Sequence, residues 1–287
     1  MDNTVTIDSP LIKQVEEDFP LQWLELGDRI FSYREKGPKD GRVMVLLHGI
    51  GSASGSWAHQ LKNLSDRYRV IAWDAPGYGA SSVLSVDTPK AADYAAALGD
   101  FLAGLNANPE ILIGHSLGAL MAGAYAAGGA VIGKALILAD PANGYGGADE
   151  AVRAEKLSAR LNNMNKLGPE GLAAARSSVL LSATSSDDAL AMVRWNMSKL
   201  RVDGHAQAAH MLAHGDLIAD AGKYNGPVLV MCGGEDSVTP EAGCRKIAAA
   251  YSNADYQTLP NVGHASYVEN PAQFNQAVLS FVEARNA

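Results

Sequence analysis

The sequence predicts an α/β protein: a mostly parallel sheet of eight strands, helices on both of its faces, and a separate helical segment set into the chain. Three observations predict it. Short, continuously apolar runs such as Val43–Leu47 alternate with helix-period stretches, as parallel strands covered on both faces require. Two alternating runs near the start flank Gly27-Asp28, a two-residue hairpin signal. From about Pro141 to Tyr224 no strand-like run occurs and helical patterning takes over.

The bulk properties agree with a globular protein. At 287 residues the chain is long enough for one large α/β domain or a core domain carrying an insertion. Apolar residues make up 47% and charged residues 19%, which argues against long disordered segments. A net charge of −8 argues against nucleic-acid or anionic-membrane partners. No apolar run reaches membrane-spanning length, and the first residues lack a basic stretch followed by an apolar one, so a cytoplasmic location is expected. Cys232 and Cys244 could pair, but without a cysteine framework free buried thiols are expected. The sequence leaves oligomeric state open, a homo-oligomer included.

Residues 1–19 are polar and read as an arm or short leading helix, followed by hairpin strands over 21–26 and 29–34. The strand at 43–47 ends in His48-Gly49-Ile50-Gly51, and a helix over about 56–65 leads to a strand at 69–73. Asp74-Ala75-Pro76-Gly77-Tyr78-Gly79 forms a loop, and a helix over 88–106 is expected to be capped by Thr88 with Pro89 in its first turn. Buried strands follow at 111–113 and 134–140. The helical segment is expected to run over 149–167, 170–181, 186–200 and 205–220. The sheet resumes at 227–232, with a helix over about 240–251, a last strand at 254–259 and a closing helix over 271–284. The predicted organisation is a core of residues 1–140 and 225–287, with residues 141–224 as a lid over the strand ends. Met192, Trp195, Met197 and Met211 read as packing residues first, with Met192, Trp195 and Met211 as candidates for lining a substrate pocket beneath the lid.

The chain is organised around Ile111-Leu112-Ile113-Gly114-His115-Ser116-Leu117-Gly118-Ala119. This reads as a buried strand, a tight turn and a small-residue helix. A serine on so sharp a turn needs neighbours two positions either side that lack a Cβ, and Gly114 and Gly118 meet that need. The turn holds the Ser116 hydroxyl above the sheet edge, and the first amides of the next helix point at whatever it attacks.

A serine hydroxyl is a poor nucleophile at neutral pH, so it needs a base within hydrogen-bond reach and a third group to fix the base's tautomer. His264 lies just after the last strand, where a parallel sheet would bring it beside the turn. Asp236 lies just after the preceding strand, with Asp140 as its rival. An oxyanion needs waiting donors, and the Leu117 N–H supplies one.

Two other constellations are weighed and set aside. Gly49, Gly51 and Gly55, with Asp74 closing the next strand, imitate a dinucleotide fingerprint, but the spacing is G-x-G-x-x-x-G. His210 and His214 could share a metal on a helix, but no carboxylate completes a motif. His205 receives no role.

The glycine-flanked serine in its strand-turn-helix context, His48-Gly49, residues 74–79, and the loops carrying Asp236 and His264 resemble the α/β-hydrolase family over about residues 20–140 and 225–285. Within it, the chain looks most like the bacterial 3-oxoadipate enol-lactonases and the carbon–carbon hydrolases of meta-cleavage products. Residues 228–282 resemble the lactonases best, although Ala119 replaces a glycine common after their turn. The resemblance implies a second oxyanion donor from the amide of Ile50, with Gly51 as the alternative, and a bracing role for His48, which with Gly49 is also placed at the substrate. Asp74 is read as structural. The implied activity is cofactor-independent hydrolysis of a small carboxylic ester or enol-lactone in aromatic-compound catabolism, with carbon–carbon hydrolysis or non-catalytic ligand binding as alternatives.

Overall fold

The computed structural model describes residues 9–285. Its centre is a single eight-stranded sheet: β1 (Gln22–Leu26), β2 (Arg29–Lys36), β3 (Val43–Leu47), β4 (Arg69–Trp73), β5 (Pro109–His115), β6 (Ala135–Ala139), β7 (Val228–Gly233) and β8 (Ala254–Leu259). The spatial order is β1-β2-β4-β3-β5-β6-β7-β8. The β1–β2 hairpin pairs antiparallel about Gly27, whose φ of 64° is the left-handed geometry a tight turn needs. β2 joins β4 antiparallel and all later pairs are parallel. β3, β4, β6 and β7 are buried along their whole length, which explains why their sequences are continuously apolar instead of alternating.

Helices cover both faces. α1 (Pro10–Asp18) leads into the sheet. α3 (Ala91–Gly104), α4 (Leu117–Ala127), α8 (Leu217–Ala221) and α9 (Glu241–Ala250) pack in succession on one face, while α2 (Ala58–Leu64), α10 (Ser266–Glu269) and α11 (Pro271–Glu283) pack together on the other. Between β6 and β8's partner β7 lie α5 (Glu150–Arg176), α6 (Asp187–Ser198), α7 (Val202–His214) and α8, with no strand among them. No helix among the described residues is long and apolar enough to cross a membrane. Cys232 and Cys244 are both buried and form no disulfide.

Three local expectations are corrected. The helix expected at 88–106 starts at Ala91, because the Asp93 carboxylate accepts the Lys90 N–H at 2.7 Å and closes the first turn there; Thr88 and Pro89 remain in the loop. The helix expected at 205–220 divides into α7 and α8, because Gly215 is extended and the Asp216 side chain caps a new helix by accepting Ala219 N–H. The helix expected at 56–65 opens as a 3-10 turn over Ser54–Trp57. The short helix α10 begins one residue beyond His264, after Ala265. The break at Gly168-Pro169 occurs as expected, inside what is otherwise a continuous run, with Gly168 at φ 65°.

Register places the site. Leu47 is opposite Gly114 and His115 is opposite Ala139, so the chain leaves β3, β5 and β6 at one edge of the sheet. Gly233 opposite Leu259 brings the loops after β7 and β8 to the same edge.

Candidate active site

Ser116 sits between the last residue of β5 and the first of α4 with φ 53° and ψ −114°, a conformation that few residues other than glycine adopt. Its main chain is tied down by Ser116 N–H to Ala139 O at 3.0 Å and by Ala142 N–H to its own carbonyl at 3.1 Å. The flanking glycines are required by close approach. A Cβ on Gly114 would lie 2.4 Å from the Gly118 carbonyl oxygen, and one on Gly118 would lie 2.3 Å from that of Leu47. The backbone is thus pressed on both sides, and the serine is held at the top of the turn.

His264 is 3% exposed and lies in the loop after β8. Its Nδ1 donates to Asp236 Oδ2 at 2.8 Å. The Asp236 carboxylate has three further donors: Val238 N–H at 2.7 Å, Thr239 N–H at 2.9 Å and Thr239 Oγ1 at 2.6 Å. Burial alone would raise its pKa. The hydrogen bonds from His264 and Thr239 outweigh that and bring it down to about 2, so the group is a carboxylate at neutral pH. Asp236 also closes the turn before α9, so one oxygen serves the backbone while the other serves the imidazole.

Asp140, at the end of β6, is fully buried. Its oxygens accept Gly233 N–H and Ser266 Oγ, each at 2.6 Å, and none of its described hydrogen bonds goes to His264. Burial first, and the neighbouring Asp236 second, push its pKa well above the usual carboxylate range. The Thr239 hydroxyl, besides its contact with the Asp236 carboxylate, lies 3.0 Å from the main-chain carbonyl oxygen of Asp140 and 3.1 Å from His264 Nδ1.

The loop after β3 lies against the serine, since a Cβ on Gly49 would be 3.1 Å from Ser116 Cβ. Gly49, Ile50, Leu117, Ser116 and His264 all face one cavity of about 480 Å³. The main-chain N–H groups of Ile50 and Leu117 make none of the described loop hydrogen bonds. His48 does not face the cavity. It is fully buried, donates from Nδ1 to Gly49 O at 2.9 Å and accepts Ala75 N–H on Nε2 at 3.0 Å, so both ring nitrogens hold loops in place. Asp74 acts similarly, accepting Ser54 N–H and Ser32 Oγ at 2.7 Å each.

Three helical candidates fall elsewhere. Met192 and Met211 are fully buried in the core. Trp195 packs on Gly55, beneath the Lys199 ammonium 4.2 Å from its ring, and lines a second cavity of about 360 Å³. Other faces of the same helices reach the first cavity, through Val193 and Met197 on α6 and His205 and Leu212 on α7. Arg160 and Arg176 on α5 also line it, and nothing in the linear sequence singled them out.

Metal ligation finds little room. Among the described residues, Asp140, Cys232 and Asp236 bring ligand atoms within 4.8 Å of one another, but both carboxylates are already engaged by the hydrogen bonds above. His210 and His214 stack with ring centroids 6.3 Å apart, and no third ligand group joins them among the described residues.

Residues 44–277 match a family described as "Alpha/beta hydrolase family". A Pseudomonas putida protein named "Dihydrolipoyllysine-residue acetyltransferase component of acetoin cleaving system" is 28% identical over 91% of this chain and 69% of its own length. An Escherichia coli O103:H2 protein named "Putative carbamate hydrolase RutD" is 27% identical over 84% of this chain and 91% of its own. The crystal structure of the enol-lactonase from Burkholderia xenovorans LB400 superposes with a TM-score of 0.82 at 24% identity, over 91% of this chain and all of that one.

Proposed function

The chain belongs to the alpha/beta hydrolase family, and from that premise we propose that it is a serine hydrolase cleaving a small carboxylic ester or enol-lactone through an acyl-enzyme. The observation that carries the reading is His264 Nδ1 at 2.8 Å from the ionised Asp236, with His264 and Ser116 facing the same cavity. That hydrogen bond puts the ring proton on Nδ1 and leaves Nε2 as a base.

In the proposed reaction Ser116 Oγ attacks the ester carbonyl carbon while His264 Nε2 takes its proton. The carbonyl oxygen becomes an oxyanion, met by the N–H groups of Ile50 and Leu117. Collapse of this intermediate breaks the bond to the leaving oxygen, which takes the proton from His264; from an enol-lactone the released enol then ketonises. Water, deprotonated by His264, attacks the acyl carbon, and Ser116 leaves with that proton. Asp236 keeps the imidazolium stable throughout. Residues 141–224 serve as the lid, with α5, α6 and α7 contributing the far wall of the cavity.

Hydrolysis of p-nitrophenyl butyrate by the purified protein tests this. Turnover that Ser116→Ala abolishes is expected; turnover at the wild-type rate in that variant would refute the assignment.

A further inference from the structure

Three hydrogen bonds hold the main chain around His264, and two of them lead to the inserted helical segment, residues 141–224. His264 O accepts the Nε2–H of His115, the last residue of β5, at 2.8 Å. Ala265 N–H donates to Leu180 O at 2.8 Å, and Leu180 ends the 3-10 turn Ser177–Leu180 that follows α5. Gly263 N–H donates to Glu269 Oε2 at 2.9 Å.

Glu269, the last residue of α10, carries the third bond onward to the same segment. Its two carboxyl oxygens each accept Ser182 N–H at 3.1 Å, and Oε1 also accepts the Ser182 hydroxyl. All the described hydrogen bonds to this side chain come from Ser182 and Gly263, both buried and neither part of α10 or α11. Glu269 therefore caps no helix; the cap of α11 is Asn270, whose side chain accepts Gln273 N–H. The two backbones also touch directly. A Cβ on Gly263 would lie 2.7 Å from the Leu181 carbonyl carbon and 2.8 Å from Ser182 N.

A general base must keep its reacting nitrogen within hydrogen-bond reach of the nucleophile, and a misplacement of about 1 Å can cost about 10²-fold in rate. The bond to Asp236 sets the rotation of the His264 ring, whereas the place of its Cα is set by the three main-chain bonds. We propose that Glu269 is a positioning residue for His264, and that through Ser182 it makes the place of the base depend on the seating of Leu180–Ser182 against the His264 loop. Leu180 also lines the cavity, so the stretch that a substrate meets is the stretch that sets the base. Closure of this wall and assembly of the catalytic pair are then one event. This rests on the reading of His264 as the base for Ser116.

The test measures the rate at which a fluorophosphonate labels Ser116 in wild type, Glu269→Gln, His264→Ala and the double variant, each checked for a native circular dichroism spectrum. Glutamine keeps the size of the side chain but sets an NH2 group against donors that need an acceptor. Glu269→Gln is expected to slow labelling about 10- to 100-fold when His264 is present. It is expected to slow it less than about twofold in the His264→Ala background, because a residue that acts through the base then has nothing to act on. A merely structural role slows both alike, so two slowings that agree within about twofold would overturn the proposal. Ser182→Ala, which takes the hydroxyl from the same carboxyl group and leaves the N–H, is run through the same cycle and decides by the same criterion if Glu269→Gln does not fold. A wild type whose Ser116 takes no label would instead refute the hydrolase reading. The positioning claim is then decided by the downfield NMR resonance of the His264 Nδ1 proton, identified by its absence in His264→Ala: Glu269→Gln is expected to shift or broaden it, and an unchanged resonance would overturn the proposal.

Discussion

Thr239 donates from Oγ1 to Asp236 Oδ2 at 2.6 Å, on the same carboxylate oxygen that receives His264. Hydrogen bonds to a charged group contribute about 1.5–3 kcal/mol. Thr239→Val removes this one without changing side-chain shape, and kcat/KM on p-nitrophenyl butyrate is expected to fall roughly 3- to 30-fold, in keeping with partial loss of such a bond. Thr239→Ser is expected to recover most of it. Steady-state kinetics on the two variants decides the matter.

The low pKa of Asp236 has a consequence for acid stability. Its value of about 2 in the folded protein lies below the ordinary carboxylate value of about 3.9 in an unfolded chain. A carboxylate depressed in this way stabilises the fold at pH values above the unfolded value, and that contribution is lost as pH falls through the folded one. Denaturant unfolding measured between pH 6 and pH 2 is expected to show a steeper loss of stability below about pH 4 in the wild type than in Asp236→Asn.

The two buried acids at this edge of the sheet are expected to respond differently to amide replacement. Asp236→Asn alters the acceptor that orients His264, and activity is expected to drop by about 10³- to 10⁴-fold, the loss that the proposed mechanism entails. Asp140 holds Gly233 N–H and Ser266 Oγ and has its pKa pushed upward, so a neutral amide there replaces a group that resists ionisation. Asp140→Asn is expected to retain activity within about tenfold and a native circular dichroism spectrum. Larger loss at Asp140 than at Asp236 would exchange their roles.

Gly118 has no room for a side chain, since its added Cβ would meet Leu47 O at 2.3 Å. Gly118→Ala is expected to destabilise the protein by about 1–3 kcal/mol through overpacking. Activity is expected to fall with it, because the backbone that must move carries Ser116. Thermal unfolding and ester hydrolysis on the same preparation check both effects.

What could be read from the chain was what local geometry compels. The Gly114–Gly118 turn announces itself because a tight strand-to-helix turn excludes side chains at those positions. His264 and Asp236 were legible because loops after adjacent parallel strands must emerge at one edge. Arg160 and His205 were not, because helical periodicity defines faces without saying which face another helix covers. Met192 and Met211 point into the core for the same reason, while Val193 and Leu212, one residue on, reach the cavity. Thr239 has no linear signal, because its place beside His264 depends on the turn that Asp236 itself closes. The division of α7 from α8 had a signal in Gly215-Asp216 that a purely periodic reading passed over.

Covalent labelling with a fluorophosphonate probe, located by peptide mass spectrometry, tests the central claim most directly. The account predicts one modified residue, Ser116, with labelling abolished in Ser116→Ala and slowed at least about 100-fold in His264→Ala, since the nucleophile would lack its base. A probe that leaves Ser116 unmodified in the folded protein, or labels it equally fast without His264, would contradict it.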